Sequence, residues 1–195
     1  MNWITENIAL VLEIAAVIFG IVYVVLIAAN KISCWFFGII GSIIIIYLFV
    51  EHAKLYAEAV LYGFYVLAGI YGWVNWKKQK EPNRVFARSI KTHLVTIAIG
   101  ILLSLGLFVV LNEWFAEAKK PLIDSFTTIF SFIATYITTK KWIENWIYWI
   151  VIDAVTTYLY MSRGLEIYAL LMLVYTIIAV YGYLKWRKLT IVNID

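Results

Sequence analysis

The chain predicts an all-α integral membrane protein with seven transmembrane helices, two parallel three-helix repeats joined by a linker helix. Three observations carry that reading. Apolar residues make up 64% of the chain and charged residues only 14%. The stretch between His93 and Glu113 holds no charge at all, and a helical run of that length, rising about 1.5 Å per residue, crosses a hydrocarbon core about 30 Å thick. Lastly, the chain says nearly the same thing twice. Cys34-Trp35, Tyr47-Leu48-Phe49 and Tyr71-Gly72-Trp73-Val74-Asn75-Trp76 return as Asn145-Trp146, Tyr158-Leu159-Tyr160 and Tyr181-Gly182-Tyr183-Leu184-Lys185-Trp186. The offset is 111 residues up to the Tyr-Leu-aromatic step and 110 after it, so one residue is lost near Ala53. Glu13 pairs with Asp124, Phe19 with Phe130 and Tyr65 with Tyr175 in the same register.

Taken in order, the predicted helices cover 8–29, 34–50, 56–76, 93–112, 122–139, 145–161 and 165–186. The residues before the first, Met1-Asn2-Trp3-Ile4-Thr5-Glu6, lack the basic start of a signal peptide, so that helix is expected to stay in the mature protein. Residues 8–76 form the first repeat and 77–92 a basic loop containing Pro82. The fourth helix has no counterpart in either copy. Three is odd, so adjoining triplets would point in opposite directions; the extra helix over 93–112 restores a common direction, giving a 3+1+3 plan. Pro121 opens the fifth helix, where a missing amide is tolerated, and 122–186 form the second repeat. Parallel repeats of this kind are one of the known transporter plans, which makes transport the first functional hypothesis.

Charge sets the expected orientation. With the Lys77–Lys91 loop in the cytoplasm, that side holds twelve Lys and Arg and the other side four (Lys54, Lys119, Lys120 and Arg163). The positive-inside rule then puts the N-terminus outside and the C-terminus in the cytoplasm. The same asymmetry accounts for the net charge of +4 without a nucleic-acid partner. A single cysteine excludes an internal disulfide and a thiolate metal cluster. No Gly-rich phosphate loop, nucleophile elbow or metal-binding histidine pair is present, and neither cofactor nor metal is expected. A membrane enzyme is disfavoured because no acid–base pair or nucleophile shares a membrane depth. A non-transporting scaffold or sensor stays open, as does assembly into a homo-oligomer.

The sixth helix is the chemically unusual one. At about 100° per residue, Trp146, Trp149, Asp153, Thr156 and Tyr160 share one face. Asp153 lies near mid-membrane, where a carboxylate costs about 2.5–3.5 kcal/mol. No Lys or Arg lies at comparable depth, so it must meet a polar cavity, hydroxyls or water. Three roles fit: helix glue, proton relay, or one wall of a central site beside two indoles. In the first copy the matching positions are Trp35, Gly38 and Ser42, so that half presents small residues and leaves room for a ligand. Indoles with a carboxylate suit an aromatic cation.

Other polar residues read more blandly. Tyr65 and Tyr175 either lower hydroxyls into the cavity or pack. Thr127, Thr128, Ser131, Thr135, Thr138 and Thr139 are expected to bond their own helix, and Glu13 and Glu58 to reach water. Trp76 and Trp186 read as interfacial anchors. Asn30 and Asn75 cap helices or line an exit. His52 and His93 sit at helix ends, away from any buried site.

At Asn30, Cys34-Trp35-Phe36-Phe37-Gly38-Ile39, Leu55-Tyr56-Ala57-Glu58, Tyr71–Trp76 and Glu144-Asn145-Trp146-Ile147-Tyr148-Trp149-Ile150-Val151-Ile152-Asp153, the chain resembles the PnuC family of bacterial vitamin transporters. The resemblance runs from about Leu12 to Trp186. It implies the 3+1+3 fold, like a full-length version of the sugar-transporting SWEET architecture. It also implies facilitated uptake of nicotinamide riboside, trapped by a cytoplasmic kinase. The tryptophan-rich start of helix six and the polar residue after it then contribute to the substrate site, with Trp146, Trp149 and Asp153 in those positions; Asn145 is a further candidate, and Trp35, Gly38 and Ser42 are the candidates on the opposite wall. An acid stands at Asp153 where the family pattern admits an amide. Thiamine, carried by relatives of the same fold, also has a ring cation and is the second reading.

Overall fold

A computed structural model describes residues 2–53, 56–114 and 120–194. Lys54 and Lys119 lie outside the described residues, and so does the side chain of Glu58. Seven α-helices dominate: α1 (Asn2–Ala28), α2 (Cys34–Leu48), α3 (Tyr56–Lys78), α4 (Ile90–Trp114), α5 (Pro121–Thr139), α6 (Asn145–Met161) and α7 (Glu166–Trp186). Five regions are long and apolar enough to cross a membrane by length and composition: 7–28, 34–52, 90–113, 121–139 and 166–186. At 17 residues, α6 sits at the short limit for a span. It is also the helix that carries Asp153. Pro121 takes the first turn of α5, as its missing amide requires.

The chain divides into two compact units, Met1–Pro82 and Asn83–Asp195. In the first, α2 packs against both α1 and α3. In the second, α6 packs against both α5 and α7, and α4 lies on α5. Lipid offers no hydrophobic gain for helix association, so close fit has to hold these triplets together. Glycine permits that fit. A Cβ at Gly182 would fall 2.6 Å from the Trp146 ring, and one at Gly72 would run into the Trp35 ring. Both indoles therefore lie close against bare backbone of the next helix.

The two triplets share details that side-chain type alone does not require. Asn30 and Lys141 are the two non-glycine residues with positive φ among the described residues, at 53° and 55°. They sit 111 residues apart, each in the turn between the first two helices of its triplet. The one-residue excess of the first copy coincides with a π-helical turn over Phe49–Ala53 at the end of α2. An extra residue inserted in a helix is accommodated by such a turn.

Two short strands escape the helical reading: β1 (Arg84–Arg88) and β2 (Thr190–Ile194), paired in parallel from Arg84 opposite Thr190 to Arg88 opposite Ile194. The basic loop and the C-terminal tail are thus joined. The other edge of β1 meets the α5–α6 turn, through Phe86 N–H to Lys141 O at 2.9 Å and Ile143 N–H to Phe86 O at 2.8 Å.

Gly182→Ala should cost about 1–3 kcal/mol through overpacking against Trp146. Gly106→Ala, where nothing lies within 4 Å, should gain about 0.5–1 kcal/mol from restricted backbone freedom. Thermal unfolding of the purified variants in detergent checks both, and they should move in opposite directions.

Candidate functional site

The four indoles of the repeated motifs form two matching pairs. Trp35 meets Trp76 edge-on at 5.5 Å and 87°, and Trp146 meets Trp186 at 5.4 Å and 88°. Their exposures are 1, 4, 1 and 0% respectively. This corrects two expectations. Trp76 and Trp186 are not interfacial anchors but walls of an indole slot. Trp35 and Trp146, expected on the ligand-facing wall, fill that slot and present no free face in this conformation. The reason is the spacing Gly72-x-x-x-Trp76 and Gly182-x-x-x-Trp186, which puts a bare patch and an aromatic edge one helical turn apart.

Asn145 is also fully used. It is 0% exposed; its Nδ2 donates to Trp142 O at 2.6 Å and its Oδ1 accepts from Thr138 Oγ1 at 3.3 Å. It therefore closes the α5–α6 turn rather than waiting for a ligand. In the first unit, the room expected at Gly38 is occupied: a Cβ there would lie 2.8 Å from the Tyr23 ring. Ser42 is buried. Tyr65 packs edge-on against Tyr62 at 5.5 Å and Phe64 at 5.8 Å. Tyr175 is half-buried on α7.

Trp149 and Asp153 remain. Ile147, Val151, Tyr158 and Met161 form the exposed stripe of α6, with exposures between 47 and 65%. Asp153 is 6% exposed, off that stripe, and Trp149 is half-buried. The carboxylate is therefore turned away from the lipid-facing side of its helix. Among the described residues no hydrogen-bond donor reaches it; the main-chain carbonyl of Asp153 accepts from Thr157 Oγ1 at 2.7 Å. Trp149 is held at its indole nitrogen, which donates to Thr138 Oγ1 at 3.3 Å. The Thr138 oxygen also lies 2.8 Å from Ala134 O, so its single proton is shared between that carbonyl and Asn145 Oδ1. One hydroxyl thus aims the indole. Thr138 bonds its own helix as expected, and its contacts to Asn145 and Trp149 come in addition.

Comparison with known proteins shows the family. A family model described as "Nicotinamide mononucleotide transporter" matches residues 10–188. The chain belongs to that family. It is a family of transporters, not of enzymes. A similar protein is "Nicotinamide riboside transporter PnuC" of Escherichia coli (strain K12), 28% identical over 203 residues, covering 90% of this chain and 84% of the relative. The protein of the same name from Haemophilus influenzae is 28% identical over 182 residues, covering 87% of this chain and 76% of the relative. A solved structure titled "Crystal structure of the Vitamin B3 transporter PnuC" matches with a TM-score of 0.72 and 25% identity over 91% of this chain and 80% of that one.

This family member balances its two triplets by exchange. Tyr23 on α1 covers Gly38 on α2; at the matching positions, Ala134 on α5 belongs to the cluster against which Trp149 of α6 packs. The large aromatic has moved from the first helix of the triplet to the second. In the second unit the middle helix, α6, carries the ring, four residues before the carboxylate.

The start of α6 is pinned from the side. Glu144 Oε1 accepts the Arg88 main-chain N–H at 3.0 Å, and the Arg88 guanidinium lies 4.7 Å from the Trp142 ring centroid. His93, expected at an exposed helix end, is instead 8% exposed. Its Nδ1 lies 3.1 Å from Tyr148 Oη and its Nε2 lies 3.6 Å from Glu144 Oε2. The correction follows from α4 beginning at Ile90, which carries His93 one turn inside the helix and against α6. The sequence showed a basic loop here, and the strand pairing that folds it inward is non-local.

Thr138→Val should leave the Trp149 N–H without its acceptor and cost about 1–3 kcal/mol of stability. Thr138→Ser, which keeps the oxygen, should remain near the parent. Thermal unfolding and tryptophan emission of the two variants check this.

Proposed function

We propose that this chain carries nicotinamide riboside into the cell by facilitated diffusion across the bacterial inner membrane. Its N-terminus lies outside and its C-terminus in the cytoplasm. The observation that carries the reading is the pairing of Trp149 with Asp153 on a face of α6 turned from lipid. A pyridinium ring is flat and cationic. Stacking on Trp149 with cation–π attraction contributes about 0.5–2 kcal/mol. Asp153 offers a counter-charge and an acceptor for ribose hydroxyls, which the described protein leaves unfilled.

The family description names the mononucleotide, whereas the relatives are named for the riboside. Charge favours the riboside. A phosphate brought near Asp153 would be repelled, and α6 contains no Lys or Arg to offset it. The absence of a nucleotide-hydrolysis motif leaves passive transport, ion coupling or drive by another protein; in this reading the substrate moves down its gradient and phosphorylation by a cytoplasmic kinase keeps it inside.

Proteoliposomes loaded with unlabelled nicotinamide riboside should accumulate labelled riboside by counterflow, without ATP or an ion gradient. Labelled mononucleotide should not enter. Preferential counterflow of thiamine would transfer the assignment to that vitamin. Asp153→Ala should weaken riboside binding about tenfold or more in a tryptophan-quenching titration, with unchanged thermal unfolding. Parent-like binding by that variant would remove the carboxylate from the site.

A further inference from the structure

The second triplet carries a grip that the first lacks. His93, one turn inside α4 and buried, faces Glu144 and Tyr148, which lie a turn apart at the start of α6. Its Nδ1 is 3.1 Å from Tyr148 Oη and its Nε2 is 3.6 Å from Glu144 Oε2. The phenol can donate to Nδ1 while Nε2–H points at the carboxylate, so one imidazole serves both partners. The other carboxylate oxygen, Oε1, accepts the Arg88 main-chain N–H at 3.0 Å. Arg88 ends β1 and Ile90 opens α4, so one continuous segment holds Glu144 at both oxygens.

The repeat shows that this grip is not needed to pack a triplet. At the 111-residue offset, Glu144, Tyr148 and Asp153 correspond to Ser33, Phe37 and Ser42. Phe37 packs against Phe19 of α1 at 5.6 Å, and Tyr148 shares a cluster with Phe130, the match of Phe19. The two rings therefore pack alike. What the second copy adds is the hydroxyl, the carboxylate and His93, whose helix has no counterpart in the first copy. These additions fall in the copy that holds Trp149 and Asp153.

Two contacts four residues apart lie on one face of a helix and resist its rolling, which a single contact does not. The gripped stripe of Glu144 and Tyr148 lies about 100° round α6 from the stripe of Trp149 and Asp153. A roll of about 20° would carry groups about 5–6 Å from the axis through about 2 Å. Stacking on the indole and reach to the carboxylate would both suffer.

We infer, given a riboside site on that face, that His93 is a positioning residue for substrate binding: through Tyr148 and Glu144 it holds the roll at which α6 presents Trp149 and Asp153. The linker helix thereby acts on the site without touching the substrate.

Equilibrium binding of nicotinamide riboside to the purified full chain, read by tryptophan quenching well below each melting temperature, tests this. His93→Phe removes both polar contacts and should weaken binding about tenfold. Tyr148→Phe, which installs the first copy's residue, and Glu144→Gln, which keeps an oxygen for the Arg88 N–H, should each weaken it about threefold. Adding Tyr148→Phe to His93→Phe should cost nothing more, because the partner is already gone. In counterflow the variants should raise KM and leave the maximal rate near the parent's. Should His93→Phe not fold, Tyr148→Phe and Glu144→Gln carry the same test. A lowered melting temperature with parent affinity and KM would make the network structural only and overturn the inference. A further loss in the double variant would overturn it as well. A parent that binds no riboside would overturn the site and this inference together. Weakened binding by Asp153→Ala beside parent-like binding by His93→Phe would overturn this inference alone.

Discussion

An indole lying on bare backbone is the contact on which both triplets depend. Membrane helices gain little from hiding apolar surface, because the lipid is as apolar as they are. What remains is dispersion at short range, which falls away with gaps of even 0.5–1 Å. Trp35 on Gly72 and Trp146 on Gly182 meet that requirement, and Trp76 and Trp186 close each slot edge-on. The contact fixes the second helix of each triplet against the third, and so fixes the azimuth of α6. With Trp146 spent on packing, the helix turns Ile147 and Val151 outward and keeps Asp153 inside.

The α5–α6 turn supplies the second constraint. Asn145 and Thr138 bind each other, Thr138 holds the Trp149 nitrogen, and β1 hydrogen-bonds to the turn from the other side. Glu144, His93 and Tyr148 add a buried polar cluster beside it. A stiff base under α6 matters because Asp153 makes no compensating side-chain bond of its own among the described residues. A carboxylate left without partners at that depth is costly, and proteins retain such costs chiefly where a ligand or water meets the group.

Much of the fold was legible from residue order, because periodicity and duplication are local or in register. The seven helices fall within three residues of their expected bounds where spacing and charge marked them, except at the start of α1, where polar residues had hidden the early onset. The burial of Asp153 was legible as well, since an isolated carboxylate in an apolar helix is costly against lipid. The tryptophans were half legible. Their repeated positions stood out, but an indole beside basic residues at a helix end looks the same whether it meets a headgroup or a glycine on the next helix. The strands were missed for a different reason. Arg84–Arg88 and Thr190–Ile194 are five residues each and lie more than one hundred positions apart, so neither carries a pairing signal alone. The exchange of Tyr23 over Gly38 for Trp149 beside Ala134 was visible only as a volume balance between helices.

The account rests on one claim, that the inner face of α6 at Asp153 meets water and substrate. Cysteine labelling reads this directly, since Cys34 is the one native thiol and is fully buried. In intact membranes, Asp153→Cys should react with a small charged thiosulfonate, and saturating nicotinamide riboside should protect it, while Ala154→Cys on the outward side stays unreactive. A cysteine at 153 that never labels, or labels equally with and without the riboside, would contradict the account.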